Sequence, residues 1–446
     1  MLARLIRMRH VLTDPARASV AAGWGGRIVA ALAQFGAIRI LTQMLGVDGY
    51  GAYAVVTGLL AWFLLADLGL GASLQNHISE RRIAGESADA AIWSTAAFLT
   101  LTTVVLTALL VLAAPWAGPF LLDRFPGVTT GDAQAAFLAF GVLTGATAAA
   151  NIVLKIFFGQ HRGYLAHAVT TAAAICGVLL LAMLERVTIE HKLVWAIVAF
   201  YLPGWVFPAI AISHYLLRSR HGIVVPRFGF DPAVIRVFWR SARWFVLFAA
   251  LGALTLNLDY VILSRTVSAA DVAIYSVFAK VYTLILALFG SVMSAYWPVS
   301  SELIRTRRFV ELRALMRRAL LIGVVITIVV SFGIALFRGL IGRLLSPDAP
   351  LDLPLAFVPA FTLYCLLRVW TDTFSMTINS AGRAWFLCLV VPVQAALSLG
   401  IGYWAALHYG PIGVVAGLIL SYLLTVAWAL PLYVKLGIVD RAKDPQ

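Results

Sequence analysis

The stretch that decides the fold is AWFLCLVVPVQAALSLGIGYWAALHYGPIGVVAGLILSYLLTVAWALPLYV, residues 384–434. These fifty-one residues include no Asp, Glu, Lys or Arg. A helix of about 20 mostly apolar residues crosses a hydrocarbon core of roughly 30 Å and bonds all of its own backbone groups. The stretch is therefore long enough for two membrane spans. Gly410-Pro411 near its middle predicts a turn, with Pro at the first position of the second helix.

Comparably apolar stretches recur along all 446 residues, and charged residues make up 12% of the chain, against about 25% in soluble domains. We therefore predict an all-α integral membrane protein with twelve transmembrane helices. Pro203 and Pro208 could break the sixth helix and change that number. The predicted spans are residues 19–45, 52–73, 91–114, 135–158, 166–185, 193–217, 243–265, 271–299, 319–342, 355–380, 384–407 and 411–434.

The basic residues predict the orientation of these spans. If the N-terminus is cytoplasmic, the cytoplasmic segments contain twenty-three Lys and Arg, and the opposite side contains six. The positive-inside rule therefore places both termini in the cytoplasm. An excess of basic residues in short loops at the anionic cytoplasmic leaflet also accounts for the net charge of +14, so nucleic acid is not an expected partner.

An internal repeat organises the chain. The sequence ILTQMLGVDGYGAY at residues 40–53 returns as ILSRTVSAADVAIY at residues 262–275, an offset of 222. The repeat predicts two six-helix lobes that enter the membrane from the same side, with a central cavity between them. The predicted domains are a basic cytoplasmic segment (1–18), an N-lobe (19–217), a cytoplasmic linker (218–242), a C-lobe (243–434) and a cytoplasmic tail (435–446).

Motifs that carry enzymatic chemistry are missing from the sequence. The short loops have no phosphate-binding glycine motif, no His-Glu-x-x-His and no nucleophile elbow. The three cysteines, Cys176, Cys365 and Cys388, all fall inside predicted spans and lack metal-ligand spacing. We therefore predict a protein that is not an enzyme and that needs no cofactor or metal.

Charged side chains within the spans are the main functional candidates, because a charge in the hydrocarbon region is costly. Several of them lie on polar helix faces at a spacing of three or four residues. The candidates are Arg27, Arg39, Asp67, Lys155, Asp259, Lys280, Arg368 and Asp372, with Asn151 and Asn379 on the same polar faces as Lys155 and Arg368.

Several of these residues have a simpler explanation. Lys155 and Arg39 lie near span ends, where a long basic side chain can reach water. Arg368 and Asp372 are four residues apart and could form a local ion pair that neutralises itself. Asp67 could bond the helix junction that it precedes. The aspartate Asp259 could likewise reach interfacial water from a helix end.

Four segments resemble a known family. They are LGVDGYGAYAV at 45–55, LLADLGLG at 64–71, NLDYVIL at 257–263 and AIYSVFAK at 273–280. These segments are similar to the bacterial polysaccharide transporters, which are the O-antigen and exopolysaccharide flippases of the multidrug and oligosaccharidyl-lipid exporter superfamily. The resemblance extends over the whole chain in span number and repeat, and it is specific at these segments.

The resemblance implies two six-helix lobes around a cationic cavity that moves undecaprenyl-diphosphate-linked oligosaccharide across the bacterial inner membrane by alternating access. The expected partners are this lipid, membrane lipids, protons or sodium ions, and polysaccharide polymerase and chain-length proteins. The residues expected to bind diphosphate or sugar are Arg27, Arg39, Asn151, Lys155, Lys280, Arg368 and Asn379. Those expected to couple or gate transport are Asp67, Asp259 and Asp372.

Two other functions stay open at this point. A multidrug exporter of the same fold would exchange organic cations for protons or sodium. Its site would favour carboxylates and aromatic residues, whereas the predicted spans of this chain contain five basic candidates. A scaffold that does not transport would recruit polysaccharide enzymes through its basic loops. Lipid II flippases of the same superfamily usually carry two additional helices, which this chain lacks.

Overall fold

The computed structural model describes residues 15–60, 63, 70–160, 162–219, 236, 258–347, 351–383 and 385–440. Nearly all of these residues are helical, and none of them lies in a β-strand. The candidate Asp67 lies outside the described residues, as do nearly all of the linker and the two chain ends. The described chain forms two compact units, divided at residues 249 and 250, with Arg124–Pro126 grouped with the second.

Within the described residues, the N-terminal unit has seven helices. Helix α1 bends at Gly46, whose φ of 72° is readily adopted by glycine. Within the unit α1 packs on α6, α3 on α4, and α7 on both α4 and α6. The bounds are α1 Pro15–Gly58, α2 Leu70–Ile83, α3 Asp89–Leu122, α4 Thr130–Ala150, α5 Ile152–Gly159, α6 Gly163–Glu185 and α7 Lys192–Ser219.

The C-terminal unit begins, within the described residues, with α8 at residues 258–266. Helix α11 packs on α9, α10 and α13, and α12 pairs with α13. The remaining helices are α9 Ala269–Arg305, α10 Phe309–Leu345, α11 Phe357–Ser380, α12 Trp385–Tyr409, α13 Pro411–Leu424 and α14 Val426–Tyr433, followed by a π-helical segment at Val434–Asp440.

Large apolar side chains cover much of the outer surface of these helices. Leu112 on α3 is 65% exposed and Phe332 on α10 is 70% exposed, which suits a hydrocarbon solvent and not water. Within the described ranges, nine helical segments are long and apolar enough to cross a membrane. The prediction of an all-α, multi-pass membrane protein is confirmed.

Three of the twelve predicted spans have no counterpart among those nine segments. The spans at 52–73 and 243–265 lie partly outside the described residues. The span at 355–380 corresponds to α11, a helix of 24 residues that carries Arg368, Asp372 and several threonines. These polar residues lower the mean hydropathy of α11, although its length is sufficient to cross the bilayer.

Several helix ends differ from the prediction. Helix α3 continues through Pro115 and Pro119 to Leu122, and α7 continues through Pro203 and Pro208. Proline removes one backbone hydrogen bond, a loss that packed transmembrane helices tolerate. The fourth and twelfth predicted spans are each divided, at Asn151 and at Thr425, which are single polar positions within otherwise apolar stretches.

The turn predicted at Gly410-Pro411 is confirmed. Gly410 adopts a φ of 62°, and Pro411 is the first residue of α13. The two helices then pack closely through small residues, since a Cβ added to Gly417 would lie 2.4 Å from the Cα of Gly402. The hairpin of α12 and α13 therefore depends on glycine at position 417.

Gly417→Val should lower the stability of the C-terminal unit by about 1–3 kcal/mol, because the added side chain would force the two backbones apart. The measurement is the melting temperature of the purified protein in detergent. Gly400→Val is the matched control, since Gly400 is exposed on α12 with no atom within 4 Å of an added Cβ. Equal melting temperatures for the two variants would contradict close packing of this hairpin.

Candidate functional site

A buried aspartate lies at the start of the C-terminal unit. Asp259 on α8 is 9% exposed, and its Oδ1 accepts the backbone N–H of Tyr260 at 2.9 Å. Its Oδ2 accepts the hydroxyl of Tyr275 on α9 at 2.5 Å. The capping residues Ser268 and Asp271 fix the start of α9 and hence the register that brings Tyr275 to this carboxylate.

An ion pair forms on the neighbouring helix α11. Arg368 and Asp372 are one turn apart, with 3.2 Å between Nη2 and Oδ2. The Arg368 side chain is 15% exposed and that of Asp372 is 35% exposed. Among the described residues, the buried Nε of Arg368 has no hydrogen-bond partner. The guanidinium therefore keeps a donor available for a further acceptor.

Two tyrosines lie around the ion pair, and one of them also interacts with the aspartate. Tyr364, one turn before Arg368 on α11, interacts electrostatically with Arg368, Asp372 and Asp259. Tyr422 on α13 interacts with Arg368 and Asp372, and the two tyrosine rings meet edge to face with centroids 5.8 Å apart. The structure thus brings three predicted site residues, Asp259, Arg368 and Asp372, into one network drawn from four helices.

The tyrosines of this network were missed as site residues by the sequence reasoning. Tyr275 was noted only as a marker of the repeat. Tyr364 had a usable signal, because it lies four residues before Arg368 and so shares its helix face. Tyr422 had none, since it lies within the charge-free stretch that otherwise encodes apolar helix.

The equivalent position in the N-terminal unit has no carboxylate. Under the offset of 222, Tyr53 corresponds to Tyr275 and Ala37 to Asp259. Both Tyr53 and Ala37 are 1% exposed, and Tyr53 interacts with Tyr201 of α7. Only the C-terminal unit therefore carries an ionisable acid at this place in the repeat.

The other two candidates of the C-terminal unit lie on α9 and α11. Lys280 is half-buried on α9, one turn beyond the buried Ser276. Asn379 is half-buried near the end of α11, where its backbone carbonyl accepts the N–H of Gly382 at 2.9 Å. Both side chains remain accessible enough to contact a ligand.

The candidates of the N-terminal unit lie on two helical segments. Arg27 is half-buried on the part of α1 that packs on α6, and its charge acts on His167 of α6. Arg39 on the same helix is exposed. Asn151 forms the break between α4 and α5, and Lys155 follows it one turn later, half-buried. That the pair on α1 and the pair at the α4–α5 break act together stays a prediction.

A cavity of about 1050 Å³ with a mixed polar and apolar lining opens at one end of the N-terminal unit. At its edge Gln160 donates to the hydroxyl of Tyr215 at 3.2 Å, and Tyr215 donates to Asp89 at 3.1 Å. Ser87 donates to the other oxygen of Asp89 at 2.7 Å. This chain of hydrogen bonds ties the start of α3 to α7 and to the end of α5. None of its members was a sequence candidate, because all lie at span ends.

Comparison with known proteins identifies the family. Residues 18–304 match the family described as "Polysaccharide biosynthesis protein". The chain belongs to this family. Residues 249–404 also match the MatE family. The membership confirms the resemblance seen in the four sequence segments.

Relatives of similar length carry related names. A "Putative O-antigen export protein" of Yersinia pseudotuberculosis is 30% identical, over 92% of this chain and 94% of its own length. A "Putative O-antigen transporter" of Salmonella typhi is 28% identical, over 96% of this chain and 97% of its own length.

Solved structures of two membrane transporters share the fold. An inward-facing multidrug resistance MATE family transporter of the MOP superfamily has a TM-score of 0.78 at 16% identity, covering 94% of this chain and 96% of its own. The lipid II flippase MurJ, in an inward closed conformation, has a TM-score of 0.69 at 15% identity, covering 94% of this chain and 87% of its own. The protein therefore has the two-lobe fold of these transporters.

Proposed function

We propose that this member of the polysaccharide biosynthesis protein family is a flippase for undecaprenyl-diphosphate-linked oligosaccharide in the bacterial inner membrane. The observation that carries the proposal is its similarity, over nearly the full length, to relatives named as O-antigen exporters and transporters. The buried guanidinium of Arg368, with Nε unbonded among the described residues, supports it chemically. A diphosphate is the kind of anion that such a group binds in place of water.

In the proposed mechanism, basic side chains bind the diphosphate and amide side chains bind sugar hydroxyls. The residues assigned to this role are Arg27, Arg39, Asn151, Lys155, Lys280, Arg368 and Asn379. The polyprenyl tail stays in the lipid while alternating access of the two lobes exposes the sugar to the periplasm. A diphosphate carries about two negative charges, and a potential that is negative inside favours their outward movement by roughly 2.3 kcal/mol per charge per 100 mV.

The acidic residues Asp67, Asp259 and Asp372 are proposed to couple or gate this movement, with protons or sodium ions as the coupling ions. Asp259 supports a coupling role because it is buried, accepts hydrogen bonds at both oxygens and has no acidic counterpart in the N-terminal unit.

We also propose that both termini lie in the cytoplasm and that the domain boundaries are those predicted from the sequence. We assign no enzymatic step, cofactor or metal to the protein. Polysaccharide polymerase and chain-length proteins are proposed partners.

The test is a flipping assay in proteoliposomes. Undecaprenyl-diphosphate-linked oligosaccharide is incorporated in both leaflets, and a membrane-impermeant glycosidase is added outside. With the protein present all of the sugar should become accessible over time, whereas in protein-free vesicles only the share in the outer leaflet should be cleaved. Cleavage that stops at the outer-leaflet share in both preparations would overturn the proposal and favour a scaffold.

A multidrug exporter is the second candidate, and one observation favours it. Asp259 accepts hydrogen bonds from two tyrosines, Tyr260 and Tyr275, whose rings meet edge to face with centroids 5.8 Å apart. A carboxylate next to aromatic faces suits an organic cation. The same vesicles, tested with ethidium and a pH gradient, separate the two functions. Ethidium transport without sugar flipping would replace the flippase proposal.

A further inference from the structure

A cluster of arginines lies on the first turns of α10, before its apolar stretch begins. Arg313, Arg317 and Arg318 are all exposed, and with Ala314 and Leu321 they line a concave site of about 470 Å³. Arg313 and Arg317 are one helical turn apart, so their side chains share a face. The small side chain of Ala314 leaves a notch between the guanidinium groups.

This cluster has no counter-charge of its own in the part of the chain that the structure describes. The acidic residue nearest in sequence, Glu311, is bound by Arg308, with 2.7 Å between Nε and Oε1 and 2.6 Å between Nη2 and Oε2. None of the three arginines forms an ion pair with another described residue. Like charges four residues apart on a helix repel each other, so an external anion would stabilise the cluster.

The same face of α10 then continues as a lipid-facing surface. Leu321, Val325 and Phe332 are 63%, 51% and 70% exposed, and they follow Arg317 at spacings of a helical turn or two. The cluster therefore lies where the hydrocarbon region ends and the headgroup region begins. An anion that occupies the notch from this direction is one attached to acyl chains.

We propose that Arg313, Arg317 and Arg318 form a binding site for the phosphate of an anionic phospholipid, whose acyl chains lie along Leu321 to Phe332. Arginine binds phosphate oxygens through two parallel N–H donors, which gives the site geometric selectivity as well as charge. A zwitterionic lipid also has a phosphate, but its headgroup carries a compensating cation. The site therefore distinguishes lipids by net charge.

The experiment is native mass spectrometry of the full-length protein, purified in detergent and titrated with phosphatidylglycerol or phosphatidylcholine. The wild type should retain phosphatidylglycerol in preference to phosphatidylcholine. Arg313→Gln/Arg317→Gln/Arg318→Gln should lose that binding by about tenfold or more, since each juxtamembrane basic residue contributes roughly fivefold at an anionic surface. Arg343→Gln is the matched control, because Arg343 is exposed at the far end of the same helix.

Further variants and a competition measurement test the proposed lipid site. The triple Lys variant retains the charge and should keep part of the binding, and the melting temperatures of all variants verify that they are folded. Phosphatidylglycerol retention by a folded triple Gln variant equal to that of Arg343→Gln would overturn the site. Displacement of phosphatidylglycerol by equimolar undecaprenyl diphosphate would assign the arginines to the substrate lipid and overturn the phospholipid assignment.

Discussion

Arg368→Ala should reduce flipping of the lipid-linked oligosaccharide by about 10- to 100-fold. The expected reduction in rate follows from the loss of a charge-assisted hydrogen bond to the diphosphate, which contributes roughly 1.5–3 kcal/mol. Arg368→Lys should retain part of the activity, because it keeps the charge but not the planar donor geometry. The measurement is the rate at which sugar becomes accessible to glycosidase in proteoliposomes.

The ion pair with Asp372 makes a sharper experiment possible. If Arg368 only neutralises Asp372, the double variant Arg368→Ala/Asp372→Ala removes both charges and should recover activity. If Arg368 binds the diphosphate, or if Asp372 gates transport as proposed above, the double variant should stay as slow as Arg368→Ala. Recovery in the double variant would contradict a substrate role for Arg368 and leave the pair with a structural one.

Asp259→Asn should make flipping independent of pH. Asparagine has the shape of the protonated acid, and its side-chain oxygen can still accept the N–H of Tyr260. The variant should therefore fold normally while it lacks the group that exchanges a proton. The measurement is the flipping rate in proteoliposomes at a series of pH values, with and without an imposed pH gradient.

Tyr275→Phe is the matched control for this prediction. It removes the hydroxyl that donates to Asp259 at 2.5 Å but keeps the carboxyl group, so a response to pH should persist. A rate and a pH response of Asp259→Asn that both equal those of the wild type would show that Asp259 has a structural role. If the flipping rate of the wild type responds to sodium and not to pH, sodium is the coupling ion.

The sequence by itself determined the membrane architecture. A stretch of fifty-one residues without Asp, Glu, Lys or Arg has few stable outcomes in a bilayer, because unbonded backbone groups are too costly in hydrocarbon. Gly410 and Pro411 marked the turn within that stretch correctly, since their local backbone preferences agree with a helix end and a helix start. Four short segments indicated the family, and the family match over residues 18–304 confirms it.

Local spacing also gave part of the site. The separation of four residues between Arg368 and Asp372 predicts that their side chains can meet, and they do. The breaks at Asn151 and Thr425 were missed, because the apolar pattern continues across both positions. A run of apolar residues indicates that a helix lies in lipid. It carries little information on where the backbone hydrogen bonds of that helix are interrupted.

Only the tertiary structure decided which distant residues share one environment. Asp259 and Arg368 are more than a hundred positions apart, and Tyr422 comes from a helix with no charged residue. Tyr275, which bonds Asp259, lies on α9, and the ring of Tyr422 on α13 meets that of Tyr364 on α11. Helix α11 packs on both α9 and α13, and no periodicity within one helix specifies which helices will be neighbours. The pattern of apolar residues along the chain thus determines that the helices lie in the bilayer and how long each one is. The packing between helices determines which polar side chains surround Asp259 and Arg368.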